Sequence, residues 1–249
     1  MVKLIILGSA NAVSDETHEN THLALKGQER LLLIDCVGNP ILRLRRANLD
    51  FNDLTDLILT HFHPDHVSGV PLLLMDMWLL GRRKPLHIYG LQYTIDRMEG
   101  VMGFYDWAKW PDFFPVSFHR LAVGEMVPVF ESNEMSVMAS SVQHLLPTIG
   151  LRIEFPRSNQ SMAYSCDTEP CSQVVRLGSG STLLIHEASG PFPGHSSAEQ
   201  AGKIALEAGA KKLMLIHYPG QGADGLLEQA RSVFPREAIL AKDFMEWEF

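Results

Sequence analysis

The sequence of 249 residues predicts an α/β fold, arranged as a four-layer αββα sandwich. Short apolar runs bounded by turn residues recur along the chain, and such runs are typical of strands. Segments of helical period separate several of these runs, and both halves of the chain show this alternation. In such a sandwich, polar side chains that follow the strands meet at one edge between the two sheets.

The predicted elements follow from apolar period and turn residues. Strands are predicted at residues 2–7, 20–25, 31–35, 56–60, 86–89, 135–142, 149–155, 161–166, 182–186 and 212–217. Helices are predicted near residues 39–47, 70–80, 197–209 and 223–233. The third helix has clear local signals, because Ser196 and Glu199 predict a capping box at its start and Gly209 predicts its end.

Length and composition indicate a globular protein with a single domain over residues 1–249, of which 46% are hydrophobic. The apolar run in residues 1–8 is too short for a signal peptide and predicts a first strand. No run of about 20 apolar residues occurs, so neither a membrane span nor a membrane partner is predicted.

The cysteines predict a reducing compartment. Cys36, Cys166 and Cys171 are odd in number and lack Cys-x-x-Cys spacing, which disfavours a disulfide framework and favours the cytoplasm. Cys166 precedes Asp167 in a predicted strand. Strand alternation therefore predicts that Cys166 is a small buried residue facing away from the side to which Asp167 points.

The formal net charge of −8 argues against a large nucleic-acid footprint, because phosphate backbones are normally bound by clustered Lys and Arg. The basic clusters are short, such as Arg82, Arg83 and Lys84, and are typical of solvated turns. Divalent ions at a site would nevertheless add positive charge there, so one phosphodiester could still bind.

The most informative stretch of the chain is residues 60–66, Thr-His-Phe-His-Pro-Asp-His. It directly follows an apolar run. His61 and His63 are two residues apart, so an extended backbone sends both side chains to the same side. Pro64 then turns the chain and presents Asp65 and His66 from another direction. Imidazole and carboxylate together suit zinc and its first-row neighbours, so this stretch predicts a metal site.

Three further candidate ligands each follow an apolar run with a strand pattern: His144, Asp167 and His217. Together with the first motif they make seven, which is too many for one tetrahedral ion and suits two ions that share a carboxylate. Zinc is the expected metal, although a site of nitrogen and oxygen ligands could also hold Mn²⁺ or Fe²⁺.

The chain resembles the ribonuclease Z-like branch of the metallo-β-lactamase superfamily over nearly its full length. The resemblance rests on the metal motif in residues 59–69, on residues 164–168 and on residues 215–217. His186-Glu-Ala188 and Gly194-His-Ser-Ser197 narrow it to the phosphodiesterase branch. It implies a metallo-β-lactamase-type sandwich and a di-metal hydrolase that cleaves phosphodiester bonds with a metal-bridging hydroxide.

The resemblance also implies roles for individual residues. One ion would be held by His61, His63 and His144, the other by Asp65, His66 and His217, with Asp167 between them. Asp65 counts as a catalytic residue as well as a ligand. His195 would be a catalytic histidine that is not a ligand, and Glu187 would orient it. Asp35 would orient a ligand histidine.

The chain differs from ribonuclease Z in two segments that bear on the choice of substrate. Only residues 152–161 separate two predicted strands where the tRNA-gripping arm would be expected, and Tyr218-Pro-Gly220 replaces a Ser-x-Arg-Tyr motif. A small phosphodiester or single-stranded RNA is therefore the expected substrate. The alternatives are a tRNA 3′-processing endoribonuclease proper, a hydrolase of esters, thioesters or lactones, and a scaffold on a dead enzyme fold.

Aromatic residues are concentrated in residues 104–118, and residues 72–80 form an apolar run broken by Asp76. Two interpretations of the aromatic stretch stay open at this point. It packs in the core or against a second subunit, or it covers the metal cleft as a lid. The apolar run predicts a helix at a subunit interface, so a homodimer is expected.

Overall fold

The computed structural model describes residues 1–220 and 223–249. In chain order, its strands are β1 (Lys3–Gly8), β2 (His22–Lys26), β3 (Leu31–Ile34), β4 (Leu54–Ile58), β5 (Leu86–Leu91), β6 (Val116–Leu121), β7 (Val127–Glu131), β8 (Ser136–Val142), β9 (Thr148–Phe155), β10 (Gln160–Tyr164), β11 (Leu183–Glu187), β12 (Lys212–Ile216), β13 (Glu237–Leu240) and β14 (Glu246–Glu248). All the strands predicted from sequence are present, with ends that shift by a few residues.

Within the described residues the strands form two seven-stranded sheets. The first sheet has the order β14-β1-β2-β3-β4-β5-β6, and the second has the order β13-β12-β11-β10-β9-β8-β7. In the first sheet β3 to β6 run parallel, and in the second β10 to β13 run parallel. Parallel neighbours end at the same edge, which is where a site can collect side chains from several strands.

The helices are α1 (Pro40–Arg46), α2 (Pro64–Val67), α3 (Val70–Leu79), α4 (Gln92–Phe104), α5 (Ser172–Leu177), α6 (Ala198–Glu207) and α7 (Leu226–Arg231). The predicted capping box of α6 was wrong by one residue. The N-cap is Ser197, which exchanges hydrogen bonds with Gln200. Ser196 cannot serve because its amide donates to Glu187 and its hydroxyl donates to the Thr168 carbonyl.

Several elements were not predicted: β6, β7, β13, β14, α2, α4 and α5. Helix α4 contains Gly100 and Gly103, and glycine disfavours helix interiors. Strand β7 is short and contains Pro128, which removes one amide donor. These elements form because neighbouring strands and the core supply the stability that their local sequences lack.

Three apolar clusters define the four layers. Leu4, Ile6, Ile153 and Ile185 belong to the cluster between the two sheets. A second cluster joins the first sheet to α1, α3 and α4, and a third joins the second sheet to α5, α6 and α7. The predicted α/β, four-layer αββα sandwich is therefore confirmed.

The aromatic stretch 104–118 packs largely on the first sheet and its helices. Trp110 stacks on Trp78 of α3, and Trp107 packs against Phe118 of β6. Phe104 and Tyr105 are exceptions, with 91% and 57% of their surface exposed. Among the residues described, every helix is too short or too polar to cross a membrane.

Candidate metal centre

Four strands deliver the predicted ligands to one edge of the sandwich. Strand β4 precedes the motif that contains His61, and β8, β10 and β12 precede His144, Asp167 and His217. All seven predicted ligands come together there, in groups whose possible ligand atoms lie within 4.8 Å of one another.

The first group is His61, His63, His144 and Asp167. His61 Nε2 lies 2.9 Å from His63 Nδ1, which lies 3.1 Å from His144 Nε2. Three ring nitrogens therefore converge on one small volume. His144 is held in this orientation by a 2.7 Å hydrogen bond from its Nδ1 to the Gly194 carbonyl.

The second group is Asp65, His66, Asp167 and His217. Asp167 Oδ2 lies 3.4 Å from His66 Nε2 and 3.2 Å from His217 Nε2. The same oxygen lies 3.9 Å from His61 Nε2 in the first group. Asp167 thus faces both groups at once, as a bridging ligand must.

The donor set fits cations. Burial holds the pKa of His61 well below its usual value and lowers the pKa of His63 and His144, which favours the neutral imidazole that binds metals. Burial also opposes charge on His66, but Asp167 and Asp35 outweigh it and raise the His66 pKa well above its usual value. Within the described part of the chain, His66 Nε2 and Asp167 Oδ1 are buried without a hydrogen-bond partner.

Asp35 supports the second group from behind. Its Oδ2 accepts a 2.8 Å hydrogen bond from His66 Nδ1, which directs His66 Nε2 toward Asp167. Thr60 fixes the carboxylate in turn, through its amide at 2.8 Å and its hydroxyl at 2.7 Å. The sequence analysis missed Thr60, although it precedes the metal motif and has a side chain that can donate to a buried acid.

Backbone conformations that are unusual for non-glycine residues surround the centre. Asp35, Cys166 and His217 have φ angles of 61°, 53° and 53°. Each such residue costs about 1–3 kcal/mol, which the surrounding contacts must offset. The amide of Asp35 donates to the Ile58 carbonyl, and that of His217 donates to the Ser9 carbonyl. These sharp turns aim side chains at the edge immediately after a strand.

The prediction that Cys166 faces away from the site was wrong. Strand β10 ends at Tyr164, so alternation no longer governs Cys166, and its left-handed backbone places Sγ 3.7 Å from His61 Nδ1. The thiol is buried, as predicted, and burial raises its pKa well above the usual value. Its Sγ also lies within 4.8 Å of a ring nitrogen of His66, so the thiol packs against two of the proposed ligands.

Beside the two groups, Glu187 and His195 form a hydrogen-bonded pair. His195 Nδ1 lies 3.1 Å from Glu187 Oε1, and this bond raises the pKa of His195. The His195 ring lies 5.0 Å from the ring of His144 and 6.0 Å from that of His217. Burial raises the pKa of Glu187, which also accepts hydrogen bonds from the amides of Thr168, Ser189 and Ser196.

The remaining histidines lie outside the groups described above. His22 and His186 are buried, His18 contacts Asp15, and His87 contacts His119. The sequence analysis also missed Glu169, whose Oε1 accepts a 2.8 Å hydrogen bond from the Gly194 amide. No sequence pattern indicates this contact, because it joins loops that are 25 residues apart.

Comparison with known proteins identifies the family. A family model described as anti-Pycsar protein Apyc1 matches residues 2–235. The chain belongs to the Apyc1 family. Ribonuclease Z of Methanothermobacter thermautotrophicus is 28% identical to this Apyc1-family chain over 290 aligned residues, which cover 94% of this chain and 93% of that protein.

Solved structures share the fold of the Apyc1-family chain. The metallo-β-lactamase fold protein YhfI from Bacillus subtilis superposes with a TM-score of 0.85 at 22% identity, covering 100% of this chain and 99% of that one. The short form of human tRNase Z gives 0.81 at 21% identity, covering 99% and 98%. These comparisons confirm the predicted resemblance to ribonuclease Z and the metallo-β-lactamase type of the sandwich, and the two groups of His and Asp side chains fit divalent metal.

Proposed function

We propose that the protein hydrolyses small phosphodiesters at a centre of two divalent ions. The proposed ligands are His61, His63 and His144 for one ion and Asp65, His66 and His217 for the other, with Asp167 shared. The observation that carries this proposal is the position of Asp167 Oδ2, within 3.9 Å of a ligand nitrogen of His61 and 3.2 Å of one of His217. When bound, divalent ions activate water and offset negative charge on the phosphate.

His195 is the proposed proton donor to the leaving oxygen. Its Nδ1 is occupied by Glu187, so the proton it can transfer is on Nε2. The hydrogen bond to Glu187 raises the pKa of His195, which increases the protonated fraction near neutral pH. Glu187 is buried and anchored by backbone amides, so it fixes the ring orientation without contacting substrate.

The small substrate follows from the missing arm. Strand β9 ends at Phe155 and β10 begins at Gln160, so a tight turn occupies the interval where an RNA-binding arm would be expected. The family is described as anti-Pycsar and not as tRNA-processing, which agrees with a substrate other than precursor tRNA. The net charge of −8 likewise supports a small ligand over a long phosphate backbone.

The test compares three substrates on the metal-loaded protein: bis-p-nitrophenyl phosphate, a lactone panel and precursor tRNA. We expect turnover of bis-p-nitrophenyl phosphate and weak, salt-sensitive binding of the tRNA. Hydrolysis of the lactones alone would contradict the proposal that the substrate is a phosphodiester. Efficient removal of a tRNA 3′ trailer at physiological salt would support the tRNA 3′-processing endoribonuclease instead.

We also propose a homodimer formed through α3 and the start of the aromatic stretch. A cavity of about 200 Å³ lies there, lined by Pro71, Leu72, Met75, Tyr105 and Trp110. Phe104 is exposed beside Tyr105, and a second copy of the chain could cover both residues. Sedimentation should give a dimer for wild type and a monomer for the double variant Phe104→Ser/Tyr105→Ser. Leu206→Ser, on the exposed side of α6, is the control and should stay dimeric.

For the metal and the compartment, we propose zinc and the cytoplasm. The donor set holds nitrogen and oxygen atoms, which suit Zn²⁺ and also admit Mn²⁺ or Fe²⁺. The three cysteines are buried and free, as in proteins kept reduced. Elemental analysis of protein purified without added metal tests the proposal of zinc, and fractionation of the source cells tests the proposal of the cytoplasm.

That residues 1–249 form a single domain stays a prediction.

A further inference from the structure

We propose that Glu169 is a positioning residue that fixes the proposed ligand His144 through Gly194. It thereby also fixes the neighbouring His195. This inference rests on the proposed function, because it assigns a further residue to the same site. Glu169 lies in the loop between β10 and α5, two residues after Asp167. It belongs to neither of the proposed ligand groups, so it acts on the centre through other residues.

Gly194 contacts Glu169 through its amide and His144 through its carbonyl. The amide donates to Glu169 Oε1 at 2.8 Å, and the carbonyl accepts from His144 Nδ1 at 2.7 Å. The second bond directs His144 Nε2 toward His63 Nδ1, which lies 3.1 Å away. One glycine thus connects a carboxylate at the rim of the site to a nitrogen at its centre.

The backbone at position 194 approaches the imidazole more closely than a residue with a side chain could. Gly194 has a φ of 81°, which lies in the left-handed region that favours glycine. A Cβ atom there would lie 2.8 Å from His144 Nδ1 and 3.0 Å from Leu145 Cγ. Because the contact is so close, a small displacement of Gly194 displaces the hydrogen-bond acceptor of His144.

The backbone of Glu169 is fixed by the segments that carry two proposed ligands. Its amide donates to the Gln143 carbonyl at 2.7 Å. The Thr168 hydroxyl donates to the Glu169 carbonyl at 2.8 Å and accepts from the Gln143 amide at 3.2 Å. Gln143 directly precedes His144. Thr168 directly follows Asp167, so Glu169 lies where both ligand segments meet and can hold the loop between β11 and α6 in register with them.

Two carboxylates fix the backbone of His195, one on each side. Glu169 accepts from the amide of Gly194, which precedes His195. Glu187 accepts from the amide of Ser196, which follows it, at 2.9 Å. Glu187 is buried and also contacts the imidazole, whereas Glu169 is exposed. Removing the Glu169 side chain therefore frees one side of His195 without opening the core.

The experiment compares Glu169→Ala with Glu169→Gln in protein loaded with Zn²⁺. Alanine removes the acceptor, whereas glutamine keeps a side-chain oxygen at the same distance along the chain. Amide hydrogen exchange at Gly194, followed by NMR, should be about tenfold faster in Glu169→Ala, since a hydrogen bond to a charged group has that effect. Competition with a chelator should show about tenfold weaker binding of the ion held by His61, His63 and His144.

Activity gives a third measurement. In Glu169→Ala, kcat for bis-p-nitrophenyl phosphate should fall about tenfold with little change in KM, because His195 is less well oriented while the substrate is still bound by the ions. Glu169→Gln should stay within about threefold of wild type in all three measurements, since a neutral acceptor forms a weaker bond of the same geometry.

The control is Glu207→Ala, which removes an exposed carboxylate from α6 and should equal wild type. Thermal stability should be unchanged in every variant. Unchanged exchange at Gly194 in Glu169→Ala would overturn the inference, and so would a Glu169→Gln variant that resembles Glu169→Ala. Faster exchange with unchanged metal affinity would overturn it as well, because Gly194 would then not hold His144.

The proposed function fails in a different way. If wild type does not hydrolyse the phosphodiester, that function is rejected. The exchange and chelator measurements do not depend on turnover, so the expected results in both would still support Glu169 as the residue that positions His144.

Discussion

The two sheets contribute to the site in different ways. The first sheet supplies His61, His63, Asp65 and His66 from one short segment after β4. The second sheet supplies His144, Asp167 and His217 from three separate strand ends, and it also supplies Glu187 and His195. The ligands from the first sheet form the first side of the centre and are neighbours in sequence. Those from the second sheet form the second side, and only the order of its strands brings them together.

This difference shows which part of the centre depends on local geometry and which on the assembled sandwich. The first-sheet segment is shaped by strand alternation and by the turn at Pro64, which begins α2. On the second sheet, β10, β11 and β12 must pair in parallel before Asp167, Glu187 and His217 can meet. Changes at residues that link the two sides should therefore have larger effects than changes confined to one side.

The largest effect is expected for Asp167→Ala. Asp167 Oδ2 faces ligands from both sheets, so its loss should make both ions labile and reduce activity to that of metal-free protein. Elemental analysis should give about two ions per chain in wild type and fewer than one in the variant. Asp224→Ala, which changes an exposed carboxylate, is the control. One tightly held ion in both wild type and Asp167→Ala would contradict the bridging role.

His195→Ala should give the next largest effect, confined to the second side. Metal content and thermal stability should remain near wild type while kcat falls by roughly 10²–10⁴, because His195 acts on substrate and does not bind metal. Steady-state kinetics and elemental analysis on the same preparation measure both. Loss of an ion from this variant would mean that His195 is a ligand.

A substitution at Glu187 tests whether this residue acts by orienting His195. Glu187→Ala would leave the amides of Thr168, Ser189 and Ser196 without their acceptor, so Glu187→Gln is the better variant. Its loss in kcat should be smaller than that of His195→Ala. The double variant should be little worse than His195→Ala alone, because Glu187 acts through His195. Additive losses would show that the two residues act independently.

Asp35→Asn should give a moderate effect, mainly on the ion held by Asp65, His66 and His217. Asp35 holds His66 through Nδ1, and removing such an orienting carboxylate weakens metal binding about 10–100-fold. Competition with a chelator measures the affinity, and the ion held by His61, His63 and His144 should be less affected. Equal weakening of both ions would show that Asp35 supports the whole centre.

The smallest effect concerns stability and should be the same on both sides. Burial lowers the pKa of His22 in the first sheet and of His186 in the second to about 4. The folded protein therefore keeps both neutral, and their contribution is complete above the unfolded pKa of about 6.5 and is lost as the pH falls toward 4. In metal-free protein, His22→Gln or His186→Gln should each reduce the pH dependence of the unfolding free energy by about 1.4 kcal/mol per pH unit between those values.

Urea denaturation at several pH values between 4 and 7 measures this slope. A slope equal to that of wild type in His186→Gln, but not in His22→Gln, would show that only the first-sheet histidine is kept neutral. The chelator-treated wild type is the reference for both variants, because the proposed ligand histidines also take up protons in this range.

The sequence alone predicted the strands that lead to the centre. Their apolar runs are long enough to be distinguished, and each ends in a side chain that is unusual after a buried strand. The element boundaries were less well predicted, and α4, β7 and the last two strands were missed. Those segments have weak local preferences and are stabilised by pairing and packing with distant parts of the chain.

Tertiary structure decided the details that make the centre specific. Periodicity predicted that Cys166 faces away from the site, but β10 ends two residues earlier and the left-handed turn brings the thiol against His61. The Ser-x-x-Glu pattern likewise predicted the N-cap of α6 at Ser196. In the folded site Ser196 instead donates hydrogen bonds to Glu187 and to the Thr168 carbonyl. Local rules fail at both positions because contacts with distant residues there outweigh the preferences of the local sequence.

The sequence by itself determined which residues could bind metal and which strands would carry them, because strand period and side-chain chemistry are local properties. Only the tertiary structure decided that Asp167 faces both groups, that Asp35 holds His66, and that Glu187 holds His195. Each of these relations joins residues from different strand ends or loops. Their distances are set by the parallel pairing of strands and by the packing of the two sheets, which no single segment encodes.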